Sequence, residues 1–130
     1  MSERDERQPK IARQKIKVER QNLIQQALKF TKDLNKRAFL EIQFSGEEGT
    51  GLGPTMEFYS LLSEQFKSEI SLWRKNTVDG VLYPKSLTMK DNVKEICEKF
   101  QLAGIFVARS ITDDRLMDLP ISQLMWDILL

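Results

Sequence analysis

The chain has 130 residues, 20 Lys and Arg against 19 Asp and Glu, a net charge of +1, one cysteine and no histidine. That balance gives no drive toward nucleic acid or an acidic membrane, and it sets an expectation of no partner of either kind. Without histidine, Ser-His-Asp and Cys-His catalysis and histidine metal sites are excluded, and with them the commonest general base at neutral pH; no metal or other cofactor is expected.

Residues 1–14 carry charge without an apolar period and read as a solvated arm or a frayed helical lead-in. Ser2 to Arg7 is nearly all charged, so no secretory apolar stretch opens the sequence. The longest apolar-or-glycine run, Leu102 to Ala108, is far short of the ~20 residues of a membrane span. A single cysteine forms no internal disulfide, which suggests a reducing, cytoplasmic or nuclear setting.

Ile16 and Val18, flanked by charged residues, suggest a short strand. From about Gln21 the period changes. Leu23, Ile24, Ala27, Leu28, Phe30 and Leu34 form a helical face, with Asn35 as a left-handed stop. Over 39–44, Leu40, Ile42 and Phe44 alternate with Glu41 and Gln43, the pattern of a strand with one apolar face. Four of the six glycines follow within eight residues: Gly46, Gly49, Gly51 and Gly53. Pro54 then suits the first position of a helix running to about Lys67, with Gly53 as N-cap and Glu57 in the first turn. Met56, Phe58, Tyr59, Leu61, Leu62 and Phe66 cover most of its circumference, predicting a nearly buried helix.

Leu72-Trp73-Arg74 and Val81-Leu82-Tyr83-Pro84 flank Asp79-Gly80, a hairpin signal. Asn92, with Glu95 three residues on, opens a long helix by a capping-box pattern. Its predicted apolar stripe is Val93, Ile96, Cys97, Phe100, Ala103, Gly104, Val107 and Ile111, joined late by Leu102, Ile105 and Phe106. Cys97 on that stripe is expected to be a buried, unreactive small hydrophobe rather than a nucleophile. After Thr112-Asp113-Asp114-Arg115, Asp118-Leu119-Pro120 opens a last helix with Ile121, Leu124, Met125, Ile128 and Leu129 on one side. The sequence stops within it, which predicts a cut through a larger domain and self-association through this apolar face.

A strand, a glycine-rich loop and a helix in succession invite a phosphate-binding reading, and the detailed chemistry opposes it. A P-loop needs G-x-x-x-x-G-K-[ST]. Here Gly53 is followed by Pro54, and no lysine lies between Gln43 and Phe66. The G-x-G-x-x-G pattern fails at proline 54, and Glu47 and Glu48 repel phosphate. Gly49, Gly51, Gly53 and Pro54 are therefore expected to be architectural, giving positive φ and close approach in a tight crossing.

The block Leu40-Glu41-Ile42-Gln43-Phe44 … Gly49-Thr50-Gly51-Leu52-Gly53-Pro54-Thr55-Met56-Glu57-Phe58-Tyr59 resembles the opening of the HECT ubiquitin-ligase domain. Phe100-Gln101-Leu102-Ala103-Gly104-Ile105-Phe106-Val107-Ala108-Arg109-Ser110 and Arg115 to Ser122 agree in order and spacing. Arg13 to Leu28 is similar to the family's lead-in strand and helix. The G-T-G-L-G-P-T form, with Leu72-Trp73-Arg74 after the helix, is similar to the ubiquitin-fusion-degradation branch. The resemblance implies an α+β, predominantly helical fold, with residues 15–130 forming the first part of the N-lobe of a bilobal domain.

In such a domain the N-lobe recruits the E2–ubiquitin conjugate, and a C-lobe, absent here, carries the cysteine that passes ubiquitin to a substrate lysine. Cys97 does not align with that nucleophile, so the chain itself is expected to be inactive and architectural. Some HECT N-lobes also bind a second, noncovalent ubiquitin after the glycine-loop helix through two tyrosines. The matching positions here are Ile70 and Lys75, with Trp73 between them as an exposed anchor or, as its alternation with polar neighbours favours, ordinary core. The alternative function is a non-catalytic module that binds ubiquitin or other proteins.

Overall fold

A computed structural model of the chain describes residues 12–69, 71–74 and 81–113. The elements in order are strand β1 (Arg13–Val18), helix α1 (Leu23–Phe30) with a 3-10 turn at Thr31–Asp33, strand β2 (Phe39–Phe44), helix α2 (Leu52–Lys67) and helix α3 (Val93–Thr112). The predicted C-terminal helix and the Asp79-Gly80 turn lie outside the described residues, as do the first eleven residues of the charged arm. Arg13 and Gln14, assigned to that arm, belong to β1.

β1 and β2 pair in parallel, from Arg13 opposite Phe39 to Val18 opposite Phe44. Parallel neighbours need a crossover between them, and α1 supplies it. Two glutamines fix its entry. Gln26 Nε2 donates to Glu19 O and Gln21 O while its Oε1 accepts from Glu19 N. Gln65 Oε1, from α2, accepts from Leu23 N at 2.6 Å, and its Nε2 donates to Arg20 O. Leu23 N is one of the first-turn donors a helix leaves unpaired, so α2 caps α1 across 42 residues of sequence.

The left-handed residue falls at the start of α1 rather than at its end. Asn22 holds φ 55° as N-cap, whereas α1 tightens into the 3-10 turn and leaves through an extended Leu34. Asn35 is thus no left-handed stop. Its Oδ1 accepts from Arg37 N, a side-chain turn that steers the chain toward β2.

Alternation is realised in β2, where Leu40, Ile42 and Phe44 are buried. They join Val18, Leu23, Ile24 and Ala27 from the crossover, Phe58, Tyr59, Leu62 and Phe66 from α2, and Ile96, Leu102, Ala103, Phe106 and Val107 from α3. The rings of Phe30, Phe58, Tyr59 and Phe106 meet at its centre with centroids 5.7–6.2 Å apart, distances at which edge-to-face pairs are favourable. The hairpin is present at its base. Trp73 and Pro84 bridge antiparallel, with Arg74 N donating to Tyr83 O and Lys85 N to Leu72 O.

Candidate functional site

The candidate site is the junction from β2 through the glycine loop into α2. The helix begins two residues earlier than predicted. Gly51, not Gly53, is the N-cap, at φ 88° and ψ −140°, a conformation essentially confined to glycine. Leu52, Gly53 and Pro54 are then its first three residues. Pro54 still costs no hydrogen bond, because the first four helical N–H groups have no partner within the helix. The other positive φ belongs to Gly46, at 78°. At Gly49 a Cβ would stand 3.4 Å from Pro54 Cγ, an ordinary contact. Gly53 has neither feature, since its φ is ordinary and an added Cβ meets open space. Positive φ is therefore found at 46 and 51, and neither positive φ nor a clash with an added Cβ marks 49 or 53.

Thr55 ties the crossing together. It is buried, its Oγ1 accepts from Ile42 N at 3.0 Å, and the same hydroxyl donates to Gly51 O at 2.8 Å. One hydroxyl thus joins the strand, the N-cap and the first turn of α2. That first turn is less buried than predicted. Leu52 and Met56 are 55% and 45% exposed, and the buried face of α2 runs through Thr55, Phe58, Tyr59, Leu62, Ser63 and Phe66.

Arg20 clamps the loop from outside. Its Nε and Nη2 donate to the two Glu47 oxygens at 2.7 and 2.8 Å, Nη1 and Nη2 donate to the Glu57 carboxylate, and its guanidinium lies 4.3 Å from the Phe44 ring centroid. Hydrogen bonds to Arg20 hold both carboxyls below the usual carboxylate range, and Glu47 and Glu57 in turn push the arginine further up. Glu57 sits beyond the first turn of α2 and acts as a partner of Arg20, not as a dipole charge. Arg20, the cation beside the loop, is therefore already held by two carboxylates.

Trp73 is buried, its indole N–H donates to Phe66 O at 2.6 Å, and its ring meets Phe100 edge-on at 5.3 Å. It faces inward. Ile70 and Lys75 lie outside the described residues.

Cys97 is a correction. It is exposed, because the buried face of α3 runs through Ile96, Lys99, Leu102, Ala103, Phe106, Val107 and Ser110. The face is turned by most of a residue step from the predicted stripe, leaving Val93 and Ile111 exposed as well. What sequence reasoning missed is Lys99, only 5% exposed. Its Nζ lies 3.2 Å from Glu95, 3.6 Å from Glu69 and 3.4 Å from Ser71 Oγ. Its spacing of three from both Ile96 and Leu102 was the available signal. The capping pattern is realised in one direction, Asn92 Oδ1 accepting from Glu95 N, while the Glu95 carboxylate reaches forward to Lys99. Among the described residues no cluster of His, Cys, Asp and Glu could hold a metal ion, and no helix is long and apolar enough to cross a membrane.

The family model for the HECT domain (ubiquitin-transferase) matches residues 59–130. Relatives extend the likeness over the β1–β2 unit. The E3 ubiquitin-protein ligase TRIP12 of Danio rerio is 36% identical over 87% of this chain. Ubiquitin fusion degradation protein 4 of Saccharomyces cerevisiae is 32% identical over 92% of it. The chain belongs to the HECT family. A further relative, the E3 ubiquitin-protein ligase UPL4 of Arabidopsis thaliana, is 31% identical over 92% of the chain. The chain spans only 7–9% of the length of these three proteins. The α+β fold, with three helices and two parallel strands among the described residues, is consistent with the expected N-lobe architecture.

Proposed function

We propose that residues 15–130 open the N-lobe of a HECT catalytic domain, in a ligase that accepts ubiquitin from an E2 enzyme as a cysteine thioester and transfers it to a substrate lysine. The observation that carries this reading is the 36% identity to the TRIP12 ligase across most of the chain. In this reading the stretch itself is scaffold, working in the cytoplasm or nucleus with ubiquitin, an E2 and a protein substrate as partners. The Arg20 clamp and the Thr55 hydroxyl support that role, since the first ties the carboxylates of the loop and α2 together and the second ties the backbone of β2 to that of the N-cap. A second, noncovalent ubiquitin surface would fall to Ile70 and Lys75, since Trp73 is turned inward.

Taking ubiquitin needs a thiolate that attacks the E2 thioester carbonyl and expels the E2 thiol. The chain offers one thiol, Cys97, and no imidazole to activate it. The test is to incubate the chain with E1, a panel of E2 enzymes, ATP and ubiquitin and to run a non-reducing gel. We expect no thiol-sensitive adduct from this chain, and one from a polypeptide that continues through a C-lobe. An adduct lost in Cys97→Ala would overturn the scaffold reading.

A further inference from the structure

β1 has β2 on one side only among the described residues. Ala12 O accepts from Phe39 N and Val18 O from Ser45 N, each at 2.8 Å, so the even-numbered residues of β1 aim their peptide groups at β2. Peptide groups alternate in direction along a strand. Arg13, Lys15 and Lys17 therefore turn their N–H and C=O groups to the open edge. Their side chains are exposed and share the outer face of the sheet, spaced roughly 6.6 Å apart by the strand rise. None of the three is in an ion pair with a described residue. The one carboxylate on that face of the sheet is Glu41, half-buried and opposite Lys15.

We propose that this open edge docks an extended acidic segment of a partner protein by strand addition, with carboxylates at alternate residues facing Arg13, Lys15 and Lys17. Two features select that occupant. The edge presents outward donors and acceptors together, which an extended polypeptide satisfies and a phosphate backbone, an acceptor only, does not. The three cations favour carboxylates placed directly opposite them, because opposite charges across a strand pair attract and like charges repel. The same repulsion disfavours a second copy of this edge, the usual effect of lysines on edge strands. Docking here is separate from ubiquitin transfer.

The probe is a fluorescein-labelled peptide of alternating glutamate and threonine, titrated into the full 130-residue chain at low salt, where exposed charges act most strongly. Fluorescence anisotropy reads affinity, and amide exchange by NMR reads the edge. We expect saturable binding that slows exchange at Arg13, Lys15 and Lys17 and leaves Gln14 and Ile16, already in the ladder, little changed. Methylating alternate peptide nitrogens of the probe should abolish the slowing. The double variant Lys15→Glu/Lys17→Glu should bind about tenfold more weakly, with protection at Gln14 and Ile16 retained as proof of folding. Three results would overturn the proposal: no saturable binding, binding without slowed exchange at the three amides, or equal affinity for an oligothymidine probe.

Discussion

Replacing Thr55 by valine isolates the hydroxyl at the glycine junction, because the two side chains have nearly the same shape. Valine leaves Ile42 N without its acceptor and removes the hydroxyl's bond to Gly51 O, a carbonyl that, as the N-cap's, still accepts the first intrahelical bond. An unsatisfied buried donor costs about 1–3 kcal/mol. The added methyl, at a position 2% exposed, returns about 0.8 kcal/mol. The net loss is about 0.2–2 kcal/mol, which at a urea slope of about 2 kcal/mol/M lowers the midpoint by roughly 0.1–1 M. Thr55→Ser keeps the hydroxyl and should preserve the slow exchange of the Ile42 amide, which Thr55→Val should accelerate. Urea titration followed by tryptophan fluorescence, with amide exchange on the three proteins, tests both statements. If Thr55→Val proves as stable as the parent, the side chain acts through packing alone and the hydroxyl linkage is refuted.

The two glycines flanking Leu52 should respond with opposite sign. Gly51→Ala should destabilise by about 1–3 kcal/mol, since φ 88° and ψ −140° strain any residue with a Cβ. Gly53→Ala should stabilise by about 0.4–1 kcal/mol, since its Cβ enters open space and the unfolded chain loses freedom; melting temperatures decide. Glu47 and Glu57 have lowered folded pKa values, so their pairing with Arg20 adds stability above the unfolded carboxylate value near ~4.3 and loses it as pH falls through the folded values. In Arg20→Met both carboxyls should titrate higher by carbon-13 NMR, and stability should fall less steeply in acid. Cys97 should react with a thiol reagent such as DTNB at full stoichiometry without denaturant; protection until unfolding would restore the buried stripe.

What was legible in the sequence followed single-element periodicity. Leu40, Ile42 and Phe44 could be placed because a two-residue period has only one apolar face. The start of α3 could be placed because Asn92 carries its own capping oxygen. Departures arose where a distant partner sets the geometry. Lys99 enters the buried face of α3 because Glu69 and Ser71, on the segment after α2, meet its ammonium. Apolar identity alone then drew the stripe through Cys97 instead. α2 starts at Leu52 because Gly51, at φ 88° and ψ −140°, takes the N-cap conformation, which the order Gly-Leu-Gly-Pro does not announce. Asn22, rather than Asn35, is left-handed because Gln26 and Gln65 hold the turn before α1 from both sides.

The HECT family model begins at Tyr59, yet the fold has no seam there. The Tyr59 ring packs on Phe58, one residue before the match, and on Phe106 from α3. Phe30, from the crossover helix, reaches the same cluster. One turn further along α3, Arg109 Nη1 donates to Ala38 O at 3.2 Å and Nη2 to Asn35 O at 2.8 Å. One guanidinium fork thereby fastens the segment entering β2 to a helix more than 70 residues later. A lysine, with a single nitrogen, could not reach two carbonyls with the same fixed fork. The parallel β1–β2 unit is therefore bound to α2 and α3 through a shared aromatic core and a forked hydrogen bond. Removing residues 12–58 to leave the family match alone would take away Phe30 and Phe58 and expose the faces of Tyr59, Leu62 and Phe106 that they and the strand unit cover. Those side chains are fully buried in the intact fold, so the strand unit and the helices form one cooperative structure.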